Sequence, residues 1–212
     1  MIAIIDYGAG NLQSVEKALN YIDCKCIITK DKETLLNCDG AIVPGVGSFG
    51  DAMKCMANSN MDKAINEYVA TGKPLLGICL GLQLLFASSE ESPNVQGLNL
   101  ASGSITKIPN NNQTLKIPHM GWNSLKIKDN KSGIFKDIEG DPYVYFVHSY
   151  FLNATNKDIV TSTTEYGVTI DASIQQQNII ATQFHPEKSG KVGLKMLENF
   201  SKMTKTRLLE GK

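Results

Sequence analysis

The sequence predicts an α/β fold with a mostly parallel central sheet, helices on both faces and an additional antiparallel β region. Two observations carry this. In roughly the first ninety residues, short continuous apolar runs alternate with stretches of helical spacing, as βαβ units require. From about residue 93 the pattern changes to short strand-like segments separated by turns. No linker-like stretch and no internal repeat divides the 212 residues, so one domain over 1–212 is expected.

Residues 2–6 form an apolar run that fits a fully buried strand. After the turn Tyr7–Gly10, Asn11 is placed to cap a helix whose Leu12, Val15, Ala18, Leu19 and Ile22 share one face. Cys26–Thr29 reads as the second strand, Asp31 as the cap of a brief helix, and Ala41–Val43 as the third strand, ending in Pro44-Gly45-Val46-Gly47. Helices are expected at about 49–57 and 61–71, the second stopped by Gly72. Leu75–Ile78 is a fourth buried strand running straight into Cys79, with a helix after it. Further on, Ser104–Ile108, Tyr143–Val147, Asp158–Thr164, Gly167–Ile174 and Ile179–Phe184 read as strands. Asn110–Asn112 reads as an exposed loop and about 189–205 as a closing helix.

Composition narrows the function classes. Lys plus Arg equals Asp plus Glu at 21 each, and only the tail (Lys202, Lys205, Arg207, Lys212) is mildly basic, so the clustered footprint of a nucleic-acid binder is missing. No run of 18 apolar residues suggests a membrane span, and the first residues carry no basic leader signal. The five cysteines form no C-x-x-C pair and the three histidines lie far apart, which argues against a zinc site and suits a reducing cytoplasm.

Three segments carry chemistry. Gly77-Ile78-Cys79-Leu80-Gly81 has the form G-x-nucleophile-x-G where a buried strand gives way to a helix. Such a turn strains the nucleophile. The helix N-terminus favours thiolate, and the N–H of Leu80 is positioned to donate to an oxyanion. His185-Pro186-Glu187 follows an apolar strand. Were this segment extended, residues i and i+2 would share a side, so that Glu187 could orient the His185 imidazole. Pro44–Gly50 lies at the carboxyl end of another strand, where open α/β sheets place their ligands. It should border Cys79 and offer N–H groups closely. Gly8-Ala9-Gly10 starts like a dinucleotide fingerprint, but Gln13 stands at the sixth position, which leaves a tight turn and a helix cap.

Together these segments resemble the class I (triad) glutamine amidotransferases. Within that class Pro44–Gly50, Pro118-His119-Met120-Gly121-Trp122-Asn123 and Phe146-Val147-His148-Ser149-Tyr150 look like the glutaminase subunits of imidazole glycerol phosphate synthases. The resemblance spans essentially the whole chain and implies that class's single-domain fold. Cys79 would be the nucleophile, His185 the general base and then acid, and Glu187 its orienter. The Gly45–Val46 peptide and Leu80 would form the oxyanion hole. Gly47, Gln83, Glu91, His148, Ser149 and Tyr150 would surround the glutamine, with Gln83 and Glu91 at its α-amino and carboxylate ends. Asn11, His119, Trp122, Asn123, Tyr145 and Lys188 would face the partner, although packing in a β-hairpin core is the alternative for His119 and Trp122.

The implied partner is a (βα)₈ cyclase subunit forming a heterodimer, in which ammonia joins the route to imidazole glycerol phosphate and aminoimidazole carboxamide ribotide in histidine biosynthesis. The chain alone would be poorly active until the partner binds its ligand, with the Gly45–Val46 peptide reorienting. No cofactor and no metal is implied. Three other readings stay open at this point: a cysteine peptidase, a glutaminase serving another synthase, and a non-catalytic subunit of the same fold.

Overall fold

The computed structural model describes residues 1–110 and 115–210, with side chains given through Lys205. Asn111 and Asn112 of the expected loop, and Lys212 of the tail, lie outside that set.

In chain order the strands are β1 (Ile2–Ile5), β2 (Cys26–Thr29), β3 (Gly40–Gly45), β4 (Leu75–Cys79), β5 (Phe86–Ser89), β6 (Ala101–Lys107), β7 (His119–Ser124), β8 (Lys126–Ile127), β9 (Tyr143–His148), β10 (Tyr150–Ala154), β11 (Val160–Glu165), β12 (Thr169–Gln176) and β13 (Ile179–Thr182). The helices are α1 (Leu12–Tyr21), α2 (Lys32–Asn37), α3 (Phe49–Asn58), α4 (Met61–Ala70), α5 (Leu80–Leu84) and α6 (Gly190–Glu210). The main sheet runs β2-β1-β3-β4-β13-β12-β10-β6-β5, with β11 and β8 branching from β12. The first five strands are mutually parallel, and the pairing turns antiparallel at β13–β12. A separate antiparallel ribbon pairs β7 with β9.

The parallel half forms because its strands are apolar on both faces. Every residue of β1, β3, β4 and β13 is buried. Alternate residues feed two cores. Ala3 and Ile5 join Leu35, Phe49, Met56 and Tyr68 under α2, α3 and α4. Ile2 and Ile4 join Val15, Leu19, Leu197 and Phe200 under α1 and α6. Each large apolar side chain so enclosed contributes about 1.5–3 kcal/mol.

The caps follow from the residues that precede the helices. Asn11 Oδ1 accepts from the Ser14 N–H at 3.4 Å, Asp31 Oδ2 from the Thr34 N–H at 2.8 Å and Ser48 Oγ from the Asp51 N–H at 3.3 Å. The helix after Cys79 is only five residues long. Its last carbonyls are claimed by the following loop, with Leu84 O accepting from Leu98 N and Leu85 O from Leu100 N, and the chain leaves as β5.

Candidate active site

Cys79 closes β4 with φ +55° and ψ −107°, a conformation that costs a non-glycine residue about 1–3 kcal/mol. The surroundings hold it there. β4 is paired on both edges, by β3 and β13. Its neighbouring glycines admit the backbone of the next turn: a methyl group at Gly77 would lie 2.8 Å from Gly81 O, and one at Gly81 only 1.9 Å from Val43 O. The first turn of α5 thus rests directly on β3. The Cys79 thiol is 3.8 Å from Val147 O and receives a contact from Gln183 Nε2 at 3.7 Å.

His185 enters from the far side of β13, where its N–H donates to Tyr145 O at 2.9 Å. The expected extended placement of Glu187 does not hold. Only His185 is extended, and Pro186–Lys188 forms a 3₁₀ turn, as a proline at the first helical position favours. Ring and carboxylate meet across that turn, with Nδ1 donating to Glu187 Oε1 at 2.7 Å and both side chains 2% exposed. Burial alone would favour the neutral imidazole, yet interaction with Cys79 and Glu187 outweighs it and pushes His185 up to about 9. Among the described residues Nε2 finds no hydrogen-bond partner of ordinary geometry, and neither does Glu187 Oε2. The arrangement leaves Nε2 as the nitrogen that can exchange a proton with a thiol.

Cys79 and His185 open into a pocket of about 310 Å³, the small end for ligand sites and suited to a single metabolite. Val46, Gly47, Leu80, Gln83, Glu91, His148, Ser149 and Tyr150, all singled out from the sequence, line it. Gly45 sits beside Cys79 in the ladder instead of lining the pocket, and Glu187 stands behind His185. Glu91 Oε2 accepts from Phe49 N at 2.7 Å, which ties the pocket wall to the start of α3. Gln83 Nε2 donates to Tyr150 O at 2.9 Å and to Gln183 Oε1 at 3.2 Å.

Four residues were not singled out as site residues from the sequence. Pro118 and Val147 line the pocket, Gln183 reaches the nucleophile, and the Tyr7 hydroxyl donates to Pro44 O at 2.8 Å beneath the glycine loop. Burial, with Cys79 and Cys55 nearby, pushes the Tyr7 phenol up, so it stays a donor. For Gln183 a signal existed: a polar residue inside the apolar run 179–184.

The residues expected to face a partner divide in two. Trp122, 56% exposed, packs edge-on against Tyr145 at 6.2 Å, and Lys188 Nζ lies 5.9 Å from the Tyr145 ring. Trp122 and Tyr145 belong to the outer face of the β7–β9 ribbon, extended by exposed Met120 and Tyr143, with Lys188 reaching it from the 3₁₀ turn. His119 and Asn123 belong to its inner face, with His119 only 3% exposed. Asn11 is elsewhere, at the head of α1.

Residues 3–203 match the family model described as glutamine amidotransferase class-I. An imidazole glycerol phosphate synthase subunit HisH from Caldanaerobacter subterraneus subsp. tengcongensis is 48% identical over 205 residues, covering 97% of this chain and 99% of that one. The chain belongs to the class-I glutamine amidotransferases, in the HisH family. A Bacillus mycoides HisH subunit is 50% identical over 200 residues, covering 94% and 93% of the two chains. Among solved structures, a crystal structure of a glutamine amidotransferase superposes with a TM-score of 0.75 at 16% identity, covering 97% of this chain and all of that one. The PurLQS structure from Thermotoga maritima gives 0.71 at 20%, covering 94% and 96%. At those identities the likeness is one of fold, and it agrees with the class I architecture read from the sequence. No helix among the described residues is long and apolar enough to cross a membrane.

Proposed function

We propose that the chain, read as one domain over residues 1–212, is the glutaminase subunit of imidazole glycerol phosphate synthase. It hydrolyses glutamine to glutamate and ammonia and passes the ammonia to a (βα)₈ cyclase subunit in a heterodimer, for histidine biosynthesis. The observation that carries the reading is His185, held by buried Glu187 at 2.7 Å, sharing one pocket with Cys79 on its strained elbow.

Proton transfer from Sγ to His185 Nε2 yields a thiolate and an imidazolium stabilised by Glu187. The thiolate attacks the side-chain amide carbon of glutamine, and the tetrahedral oxyanion is met by N–H groups of the Gly45–Val46 segment and Leu80. Collapse expels ammonia with the proton from His185 and leaves a glutamyl thioester. Water, deprotonated by the same imidazole, releases glutamate. Gln83 and Glu91 hold the amino-acid end of the substrate, and Gly47, His148, Ser149 and Tyr150 flank it. Ammonia freed into neutral water would be mostly protonated and non-nucleophilic, so handing it to a docked partner preserves its reactivity. The outer ribbon face with Trp122, Tyr145 and Lys188 is the docking surface, and Asn11 meets the partner separately, from the head of α1. The five free cysteines suit a reducing cytoplasm.

The test is glutamate release from glutamine by the chain alone, then with a cyclase barrel and its nucleotide ligand. Strong stimulation by both is expected. Turnover indifferent to the barrel would point to another acceptor, and no turnover under any condition would leave only a non-catalytic role.

A further inference from the structure

Two buried histidines have no part in the triad. His119 and His148 face each other across the β7–β9 ribbon, as the register pairs them directly. His119 Nδ1 lies 3.0 Å from His148 Nε2, His148 Nδ1 lies 3.0 Å from Tyr150 O, and Asn123 Nδ2 lies 3.3 Å from His119 Nε2. His119 is also clamped flat between Phe146 and Tyr166, at 4.7 and 3.9 Å between ring centroids. Its side chain therefore cannot turn over to exchange its nitrogens without unpacking both rings.

These contacts allow one arrangement of protons for two neutral rings. Tyr150 O only accepts, so His148 carries its hydrogen on Nδ1, and its Nε2 must be an acceptor. The nitrogen facing that acceptor, His119 Nδ1, then carries the other hydrogen, and His119 Nε2 accepts from the Asn123 amide. Burial pushes both rings well below ordinary imidazole values, to about 4 for His119 and about 3 for His148, so both are neutral in neutral water. Every hydrogen bond in the chain points the same way, from the inner face of the ribbon toward Tyr150.

The Tyr150 carbonyl has two lone pairs, and both are used: one by His148 and the other by Gln83 Nε2. The second Gln83 N–H goes to Gln183, whose own amide reaches Cys79. Gln83 is thus held with its amide nitrogen turned inward, which leaves Oε1 as the atom that can accept from an ammonium in the pocket.

We propose that His119 and His148 are positioning residues: a neutral, one-directional hydrogen-bond chain from Asn123 to the Tyr150 carbonyl sets the Gln83 amide that receives the α-amino end of the substrate. The inference rests on the glutaminase reading for the identity of that substrate. It gives His119 a task beneath the docking surface and not on it, since its outward neighbours Met120 and Trp122 are the exposed ones.

The test joins ring-nitrogen NMR on the parent chain with kinetics of the partnered enzyme. In ¹H–¹⁵N spectra both His119 and His148 are expected as Nδ1–H tautomers, the minority form for histidine in water. His119→Phe keeps the stacked ring but removes both nitrogens. It should shift the Gln83 side-chain amide resonances and raise the glutamine KM about tenfold, the size of one lost buried hydrogen bond, with kcat within about twofold. His119→Asn restores a donor where Nδ1–H stood and should bring KM most of the way back. An Nε2–H tautomer on either ring of the parent overturns the proposal even if no variant folds. So do Gln83 resonances, or a KM, that ignore His119→Phe. If the partnered parent turns over no glutamine, the glutaminase reading fails while the tautomers and Gln83 resonances still decide the chain's existence.

Discussion

Replacing Glu187 by Gln tests the triad with the least disturbance of shape. The carboxylate accepts from His185 Nδ1 at 2.7 Å in a site where both side chains are 2% exposed. A glutamine could keep Oε1 toward the ring, and only the charge assistance would be lost, about 1–1.5 kcal/mol or roughly tenfold in rate. The pocket disfavours that pose. Glu187 Oε2 has no partner among the described residues, so an NH₂ group in its place would be a buried donor left unmade, at about 1–3 kcal/mol. The amide therefore flips, puts NH₂ against Nδ1 and forces the imidazole hydrogen onto Nε2. That is the wrong tautomer for accepting a thiol proton, and in the Ser-His-Asp hydrolases the same swap costs about 10⁴. We expect a 10³- to 10⁴-fold fall in stimulated glutamate release from a chain that still folds. His185 titrates above the ordinary imidazole value of about 6.5 because of its partners, so its contribution to stability is complete below about 6.5 and is lost as pH rises through about 9. The stability gap between parent and variant should accordingly narrow across that window, and the limb of the pH–rate profile that reports His185 should move to lower pH. A loss below about tenfold, with an unmoved pH profile, would refute the flipped-amide reasoning and take Glu187 out of the triad.

Cys79→Ala should abolish glutamine-dependent synthesis by the complex while ammonia-dependent synthesis survives; loss of both would mark the cysteine as structural. Gly81→Ala drives a methyl to 1.9 Å from Val43 O, so it should destabilise the fold by about 3 kcal/mol, at the top of the usual overpacking range. Its denaturation midpoint would report this, and an unchanged midpoint would contradict the close approach. His119 and His148 stay neutral in the fold, whereas the unfolded chain takes up protons below about 6.5. Stability should therefore fall as pH drops from about 6.5, by about 2 kcal/mol from each of the two rings at pH 5. Urea titrations across that interval would show it, since His185, protonated throughout in the fold and titrating only in the unfolded chain, offsets it by less than about 0.5 kcal/mol. A flat profile would mean the pair is less enclosed than the contacts imply.

What could be read from the sequence was whatever is locally encoded. β1, β3 and β4 are continuous apolar runs, Asn11 and Asp31 stand where helices need caps, and two glycines flank Cys79 at the elbow spacing. The predicted ends stayed within a few residues of the observed ones there. Illegible parts depend on partners distant in sequence. β5 reads as a continuation of the helix after Cys79, because Phe86 and Ala87 suit either state, and only pairing with β6 decides it. β10 was not foreseen for the same reason: its strand character comes from the ladders with β6 and β12. The meeting of His185 with Glu187 was foreseen but by the wrong geometry, since the pattern of residues does not distinguish an extended His-Pro-Glu from one that turns at the proline. Nor could spacing show that His119 and His148, 29 residues apart, would be opposed in one ladder.

The β7–β9 ribbon has an alternating register, and that makes it a two-sided code. Odd-numbered His119 and Asn123 of β7 turn inward, even-numbered Met120 and Trp122 turn to solvent, and a shift of one residue would exchange the two sets completely. For anyone redesigning this chain to serve a new acceptor, the practical reading is that Met120 and Trp122 can be rewritten side chain by side chain. An insertion or deletion anywhere between His119 and Ser124 would turn buried positions outward and exposed ones inward in a single stroke.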